Sequence, residues 1–405
     1  MPLISLGECN KKMIYPLIGG LGKLLVNIIL HLFKDSSKLN NHPFLLGINA
    51  GFGLSFAIIP FLYIRKHTKT SAIENLNNTN KTDDKYVENL FKRNDPILKK
   101  EKYLLIFLCA FLYFIEETLV FIFSYKLETN FWIFNIVFLN VFTSLITKNQ
   151  IYKHQYFSSG IMVLFGIGLN IINLYKIKAE DIPFLLLSML IEIIFSLCIV
   201  LAKYGMDKLF CSPFEITFFE GIFCFIFNII LLFISTNISI STEKISLFSD
   251  LFKISEYNGK NYLDNFYTYI EEFNYLEVLL FIVHMIGRLI FNLFSLITIK
   301  NFTSSHAFIP LLLGEISIDW KNEKKIEQII QVVIFVVELF MILIFCEIIE
   351  LNFCGFEKNT RKNIKQRAEI AFFDECIDTF DDFGDGIELG SEKSSSFNKS
   401  NEETL

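Results

Sequence analysis

The sequence predicts an all-α polytopic membrane protein with about ten transmembrane helices. Apolar residues make up 52% of the 405 residues, aromatic residues make up 16%, and the mean hydropathy is +0.45. Soluble globular domains carry more charge and less apolar surface than this. The apolar residues also fall into separate stretches divided by charged segments, which is typical of a chain that crosses a membrane several times.

Ten apolar stretches have the length that a helix needs to cross about 30 Å of hydrocarbon. They cover residues 13–33, 44–64, 103–124, 131–147, 156–175, 182–202, 214–235, 275–299, 304–320 and 326–350. No small-residue cleavage site follows the N-terminal residues, so 13–33 is interpreted as a membrane helix or anchor and not as a signal peptide. The ninth stretch is short and the first contains Lys23, so these two depart most from an ideal span.

Lysine and arginine residues predict the orientation. They are roughly twice as frequent in the segments that would be cytosolic with the N-terminus inside as in the opposite loops. Both termini are therefore expected in the cytosol, and an even number of spans agrees with this. The polar segments are a cytosolic N-terminus (1–12), a charged cytosolic linker (65–102), a lumenal loop (236–274) and a disordered acidic cytosolic tail (351–405).

The eighth stretch carries ionisable residues near its middle. His284, Arg288, Asn292 and Ser295 fall on one face of a helix because they recur at intervals of three or four residues. An arginine at the centre of a bilayer costs roughly 2.5 to 3.5 kcal/mol, so it normally faces a bundle interior, a water-filled cavity or an acidic partner. Two interpretations stay open: Arg288 faces a substrate, or it forms an ion pair with a buried glutamate that serves packing alone.

Acidic residues outnumber basic ones inside the stretches. The acids are Glu116, Glu117, Glu192, Glu220 and Glu338, against Lys23 and Arg288. Glu192 and Glu220 each lie within a stripe of small polar residues, which suggests one cavity shared by the sixth, seventh and eighth helices. The candidate residues for a substrate cavity are Glu220, His284, Arg288, Asn292, Glu192 and Glu116. We expect Glu220 to be the partner of Arg288, with Glu192 second.

The sequence predicts no metal site, no cofactor and no enzyme activity. The six histidines are isolated from one another, and no pair of cysteines has the spacing of metal ligands. Membrane metalloenzymes need clustered ligands, so that class of protein is disfavoured.

Three stretches have features of a known transporter family. Phe134–Ile172 resembles a fourth span, a short basic turn and a glycine-bearing fifth span. Ala202–Phe223 resembles the next connection and contains the pair Glu220-Gly221, and Phe345–Phe353 (FCEIIELNF) resembles the end of a last span. With ten spans and a long polar break in the second half, the sequence is similar to the drug/metabolite transporter superfamily. More narrowly, it resembles the F-type branch of the nucleotide-sugar-transporter-like solute carrier 35 proteins.

This resemblance implies two inverted five-helix repeats, 13–175 and 176–350, with the binding site at their interface. It also implies a secondary transporter that moves a small metabolite, such as a nucleotide sugar or related solute, across an endomembrane by alternating access. Proton coupling through Glu116 or Glu192 is an open option. The expected partners are the solute and the lipid bilayer, not nucleic acid, with a homodimer left open. The alternative function is a non-transporting membrane receptor or scaffold.

Overall fold

A computed structural model describes residues 4–6, 11–36, 42–64, 66, 96–123, 134–147, 152–174, 182–240, 255–272, 275–314 and 325–351. Its α-helices are α1 (Ile14–Ser36), α2 (Pro43–Ser55), α3 (Pro96–Phe123), α4 (Asn135–Phe142), α5 (Lys153–Leu174), α6 (Ile182–Lys208), α7 (Pro213–Asn237), α8 (Phe266–Glu272), α9 (Tyr275–Asn301), α10 (Phe308–Gly314) and α11 (Lys325–Phe345). A π-helical turn, Thr143–Thr147, extends α4, and a 3₁₀ turn, Ser304–Ala307, leads into α10.

The protein is helical and membrane-embedded. Five of the described helical segments are long and apolar enough to cross a bilayer: Pro43–Ile64, Ile97–Phe123, Leu186–Lys208, Pro213–Asn237 and Tyr275–Asn301. Shorter apolar helical segments are Ile14–Leu30, Asn135–Thr147, Ser304–Gly314 and Val332–Phe345. Among the described residues, each of the ten stretches predicted from the sequence contains helix. The count of ten complete crossings stays a prediction.

Several boundaries differ from those predicted. Helix α3 begins at Pro96, inside the predicted 65–102 linker, because proline suits the first helical position, where no backbone N–H is required. The last helix ends at Phe345 and not at residue 350, and Ile349–Leu351 forms a strand. The tail beyond residue 351 and the linker residues 67–95 lie outside the described residues.

Two short antiparallel sheets lie outside the helices. Strand β1 (Ile4–Leu6) pairs with β4 (Ile349–Leu351), so the N-terminal segment and the segment after α11 lie at the same end of the bundle. Strands β2 (Ser255–Tyr257) and β3 (Lys260–Tyr262) form a hairpin within the predicted lumenal loop. Asn258 and Gly259 form its turn with φ of 51° and 68°, the left-handed values that a tight two-residue hairpin needs.

The helices pack in a definite set of pairs. Helix α2 packs along α7, and each of these two helices also contacts both α3 and α9. Helix α1 packs against α9 and α10, α6 packs against α3 and α4, and α5 packs against α11. The core contains fully buried apolar side chains from many of these helices, such as Leu54, Ile106, Ile136, Ile216 and Leu296.

Two glycines allow α2 and α7 to approach closely. A Cβ atom added to Gly221 would lie 2.5 Å from the backbone nitrogen of Ser55 and 2.8 Å from the carbonyl oxygen of Gly51. Both atoms belong to the backbone and cannot move aside without shifting the helix. The α2–α7 contact therefore requires residues without a side chain, as in other small-residue membrane helix interfaces.

We predict that Gly221→Ala destabilises the protein by about 1 to 3 kcal/mol, the usual effect of overpacking. The measurement is thermal unfolding of the purified protein in detergent. Gly160→Ala is the matched control because a Cβ atom at Gly160 on α5 would meet no atom within 4 Å. Equal unfolding temperatures for the two variants would contradict a close α2–α7 contact.

Candidate functional site

A stripe of buried polar side chains follows one face of α9. His284, Arg288, Asn292 and Ser295 are at most 5% exposed, although α9 is apolar enough to cross a bilayer. Their spacing places them on the face predicted from the sequence. The first three residues of the stripe contact three different helices: α2, α3 and α7.

Arg288 forms a buried ion pair with Glu117 of α3. The Arg288 Nη1 atom donates to Glu117 Oε1 at 2.5 Å, and the two side chains are 4% and 3% exposed. The Tyr113 hydroxyl donates to the same carboxylate oxygen at 2.9 Å. The ring centre of Phe121 lies 5.2 Å from the guanidinium carbon, so an aromatic face also stabilises the cation.

The ion pair uses one hydrogen bond from the guanidinium. Glu117 Oε2 and Arg288 Nε are buried and have no hydrogen-bond partner among the described residues. Paired parallel hydrogen bonds are the strongest arrangement between arginine and a carboxylate, and this geometry does not make them. The contact therefore holds the charges together while leaving a donor and an acceptor unused.

The predicted partner of Arg288 is wrong. Glu220 lies one helical turn along the stripe and accepts a hydrogen bond from Asn292 Nδ2 at 2.7 Å. Its other oxygen lies 3.9 Å from the Cys198 sulfur atom of α6. Glu117 is adjacent to Glu116, both are buried, and periodicity alone did not show which of the two contacts α9.

His284 contacts the side chain of Asn49 on α2. The Asn49 amide nitrogen is 2.9 Å from His284 Nδ1 and also donates to the carbonyl oxygen of Phe281 at 3.0 Å. The Phe121 ring centre lies 6.0 Å from that of the imidazole, between His284 and Arg288. These contacts join α2, α3 and α9 on the side of Arg288 away from Glu220.

The two other candidate glutamates make no direct contact with this stripe. Glu192 of α6 is half-buried and accepts a hydrogen bond from Asn135 of α4, which in turn accepts one from Ser196. Glu116 is buried and forms no hydrogen bond with any of the described residues. The structure thus brings Glu220, His284, Arg288 and Asn292 along one column and leaves Glu192 and Glu116 to its sides. Whether these residues line a substrate cavity stays a prediction.

Sequence reasoning missed Glu117, Tyr113, Asn49 and Cys198 as contacts of the stripe. One usable signal exists for the first two, because Tyr113 and Glu117 are four residues apart and share a helical face. Asn49 lies between Gly47 and Gly51, a spacing of small residues that favours close helix packing and does not indicate a polar contact. Cys198 falls between the polar residues of its helix and follows no periodic pattern.

A second buried polar cluster lies at the start of α2, outside the membrane spans. Asp264 accepts a hydrogen bond from the backbone N–H of Phe44 at 3.0 Å, and its other oxygen lies 2.7 Å from His42 Nδ1. The Tyr269 ring packs edge-on against His42. Burial raises the pKa of Asp264, and the hydrogen bonds from His42 and Phe44 oppose that shift. Asp264 therefore caps the first turn of α2 from a distant part of the chain.

A separate groove lies between α4 and α5. Its volume is about 450 Å³, its base includes Asn140 and Ser159, and its rim includes Leu145, which is 68% exposed. Asn140 and Ser159 already hydrogen-bond to each other at 3.1 Å. The groove contains none of the candidate residues and opens outward, so it is distinct from the α9 stripe.

No model of a known protein family matches the sequence, and no curated protein matches it either.

We predict strong coupling between Arg288 and Glu117. Replacing either residue with leucine removes the ion-pair partner of the other buried charge, which should cost about 3 to 5 kcal/mol. The double replacement should cost less than the sum of the two single ones, since it removes both charges. The measurement is unfolding of the purified variants in detergent, with Gln in place of Leu where a single variant does not fold.

The control for this coupling is the pair Arg288→Leu and Glu220→Leu, which should show no comparable rescue because the two side chains are not in contact. Additive effects at Arg288 and Glu117, or rescue by Glu220→Leu, would contradict the observed pairing.

We predict that Asp264→Ala lowers the free energy of unfolding by about 1 to 3 kcal/mol, because it leaves the buried His42 ring and the Phe44 N–H without an acceptor. Asp264→Asn should be milder, since an amide can serve both groups. Glu256→Gln, at an exposed position of the same segment, is the control. Thermal unfolding distinguishes these variants, and equal effects of Ala and Asn would show that charge and not hydrogen bonding matters.

Proposed function

We propose that the protein is a secondary transporter that moves a small metabolite across an internal membrane by alternating access. The observation that carries this proposal is the buried polar stripe of α9, which links three other helices through His284, Arg288 and Asn292. Ionisable residues inside membrane helices are costly and commonly belong to pathways for substrates, ions or protons. A helix needed only for anchoring would not require such a stripe.

The packing pattern supports two related halves within the proposed transporter. The first half comprises α1 to α5, and the second comprises α6, α7, α9, α10 and α11. Exchanging the halves means that α1 takes the place of α6, α2 of α7, α3 of α9, α4 of α10 and α5 of α11, and the reverse. The contacting pairs α1–α9, α1–α10 and α3–α7 then become α6–α3, α6–α4 and α9–α2. The pairs α2–α7 and α5–α11 become themselves. All of these pairs are in contact, and they are the most extensive ones in the bundle. Five spans in each half would give the second half the opposite orientation.

The position of the ion pair fits the same arrangement. Under this exchange α3 and α9 are equivalent helices, and they supply Glu117 and Arg288. A pair that converts into itself lies on the two-fold axis that would relate the halves. The pair α2–α7 is such a pair, and its helices meet where Gly51 and Gly221 are in contact. Transporters built from inverted repeats bind their substrates at the interface of the two halves near mid-membrane. The Arg288–Glu117 pair would therefore be next to the substrate path.

A nucleotide sugar or a related solute is the substrate class that the family resemblance implies, and an endomembrane is the location that it implies. A receptor or scaffold is the alternative function. It would need the bundle as an anchor and would not need an ion pair between equivalent helices.

Uptake into proteoliposomes tests the proposal. The full chain is reconstituted, and a panel of radiolabelled nucleotide sugars, nucleotides, sugars and amino acids is offered with and without the same solute inside. We predict saturable uptake of at least one solute that is accelerated by internal solute, as alternating access requires. The double variant Arg288→Leu, Glu117→Leu should lose this uptake, and Gly160→Ala should retain it. Binding without uptake for any solute would support the receptor alternative.

A further inference from the structure

Glu220 differs from Glu117 in having no cation beside it. Its side chain is 2% exposed, and its oxygens receive hydrogen bonds from the amide of Asn292 and, at longer range, from the thiol of Cys198. Both donors are uncharged. Within the described part of the chain, Glu220 forms no ion pair. An ionised carboxylate in such surroundings is strongly disfavoured, so a buried group of this kind holds a proton instead.

Charged or titratable neighbours of Glu220 could come from any of the helices around α7. Helix α2 contributes no titratable side chain between Pro43 and Ser55. The buried ionisable groups in the central part of these helices and of α6 are Tyr113, Glu116, Glu117, Cys109, Cys198, Cys224, His284 and Arg288. Nearer the helix ends lie Glu215, which pairs with Lys102, and also Lys203, Glu277 and Lys300. Arg288 is the one cation of the central group, and Glu117 holds it at 2.5 Å. Glu117 therefore already neutralises the charge on Arg288, and Arg288 does not serve as a counter-charge for an ionised Glu220.

The register of α7 and α9 places Arg288 within one turn of Glu220. The two helices are antiparallel neighbours, and the Asn292–Glu220 hydrogen bond fixes their alignment. Arg288 lies four residues before Asn292, which is about 6 Å along the helix axis. The guanidinium uses a single hydrogen bond to Glu117, and its Nε atom has no partner among the described residues. Neutralising Glu117 would leave two other buried acids near the arginine, Glu116 and Glu220, and Glu220 is the one that is hydrogen-bonded to α9 through Asn292.

We propose that Glu220 is a reversible proton-binding site whose occupancy is governed by the Arg288–Glu117 ion pair. Glu220 is protonated while Arg288 pairs with Glu117. It releases its proton to water when the arginine loses that partner. The coupling of this proton to solute movement rests on the proposed transporter function, because a proton bound at the repeat interface would cross the membrane with the substrate. The proton site itself does not require that any solute be transported.

Infrared spectroscopy of the full-length protein in lipid nanodiscs tests the site directly. The measured signal is the carbonyl band of protonated carboxyl groups from pH 5 upward, where exposed carboxyl groups of ordinary pKa about 4 are already ionised. We expect a band in the wild type that Glu220→Gln removes. Glu117→Gln should cause the same band to disappear at a pH lower by about 1 to 3 units, because Arg288 then stabilises the ionised form of Glu220.

The matched control is Glu338→Gln. Glu338 is also buried within a helix of the bundle, and its Oε1 atom has no hydrogen-bond partner among the described residues, but it lies on α11, away from the α9 stripe. This variant should leave the Glu220 band and its pH dependence unchanged. Identical spectra for wild type and Glu220→Gln would overturn the proton site. A Glu220 band that does not respond to Glu117→Gln would overturn its control by the ion pair.

These outcomes are independent of those of the uptake screen. A Glu220 band without uptake of any solute would support the proton site and contradict the transporter proposal. Uptake without a Glu220 band would support the transporter proposal and contradict the proton site.

Discussion

The buried contact between Arg288 and Glu117 is the constraint on which the centre of the bundle depends. Two opposite charges in a medium of low dielectric constant stabilise the fold only while they touch, and separating them costs far more than at a surface. Their helices, α3 and α9, must therefore stay within the reach of two side chains. Both helices lie against the α2–α7 pair, whose separation is set by Gly51 and Gly221. Close backbone packing and charge pairing thus depend on each other.

The remaining polar groups of the stripe show how an apolar helix can carry several of them. Three of them contact side chains of three different helices: His284 contacts Asn49, Arg288 contacts Glu117 and Asn292 contacts Glu220. Spreading the partners over three helices fixes the rotation of α9, since turning it would break all three contacts at once. It also makes the stripe respond as a unit, because a movement of any one neighbour changes the surroundings of α9.

The sequence was sufficient to predict the helices and the polar face of α9, because hydropathy and helical periodicity are local properties. It was not sufficient to identify the partner of Arg288. Glu116 and Glu117 differ by one position, about 100° of helix rotation, and only the packing of α3 against α9 decides which of them meets Arg288. The same applies to Asp264, which caps α2 across 220 residues of sequence through contacts that no local pattern reveals. The strand after Phe345 was missed because its partner, β1, lies at the opposite end of the chain.

The starts of α2 and α7 indicate how the two proposed halves could be related and still differ in sequence. Both helices begin with a proline, at Pro43 and Pro213, and both have a buried carboxylate at the first turn. For α2 that carboxylate is Asp264, which comes from the segment before α9. For α7 it is Glu215 of the helix itself, which pairs with Lys102 near the start of α3 at 2.6 Å. Asp264 thus links the start of α2 to the segment before α9, and Glu215 links the start of α7 to the first turns of α3. The proposed exchange relates α3 and α9 to each other. Packing and capping preserve such a relation through chemically different residues, so a repeat of this kind need leave no trace in the sequence.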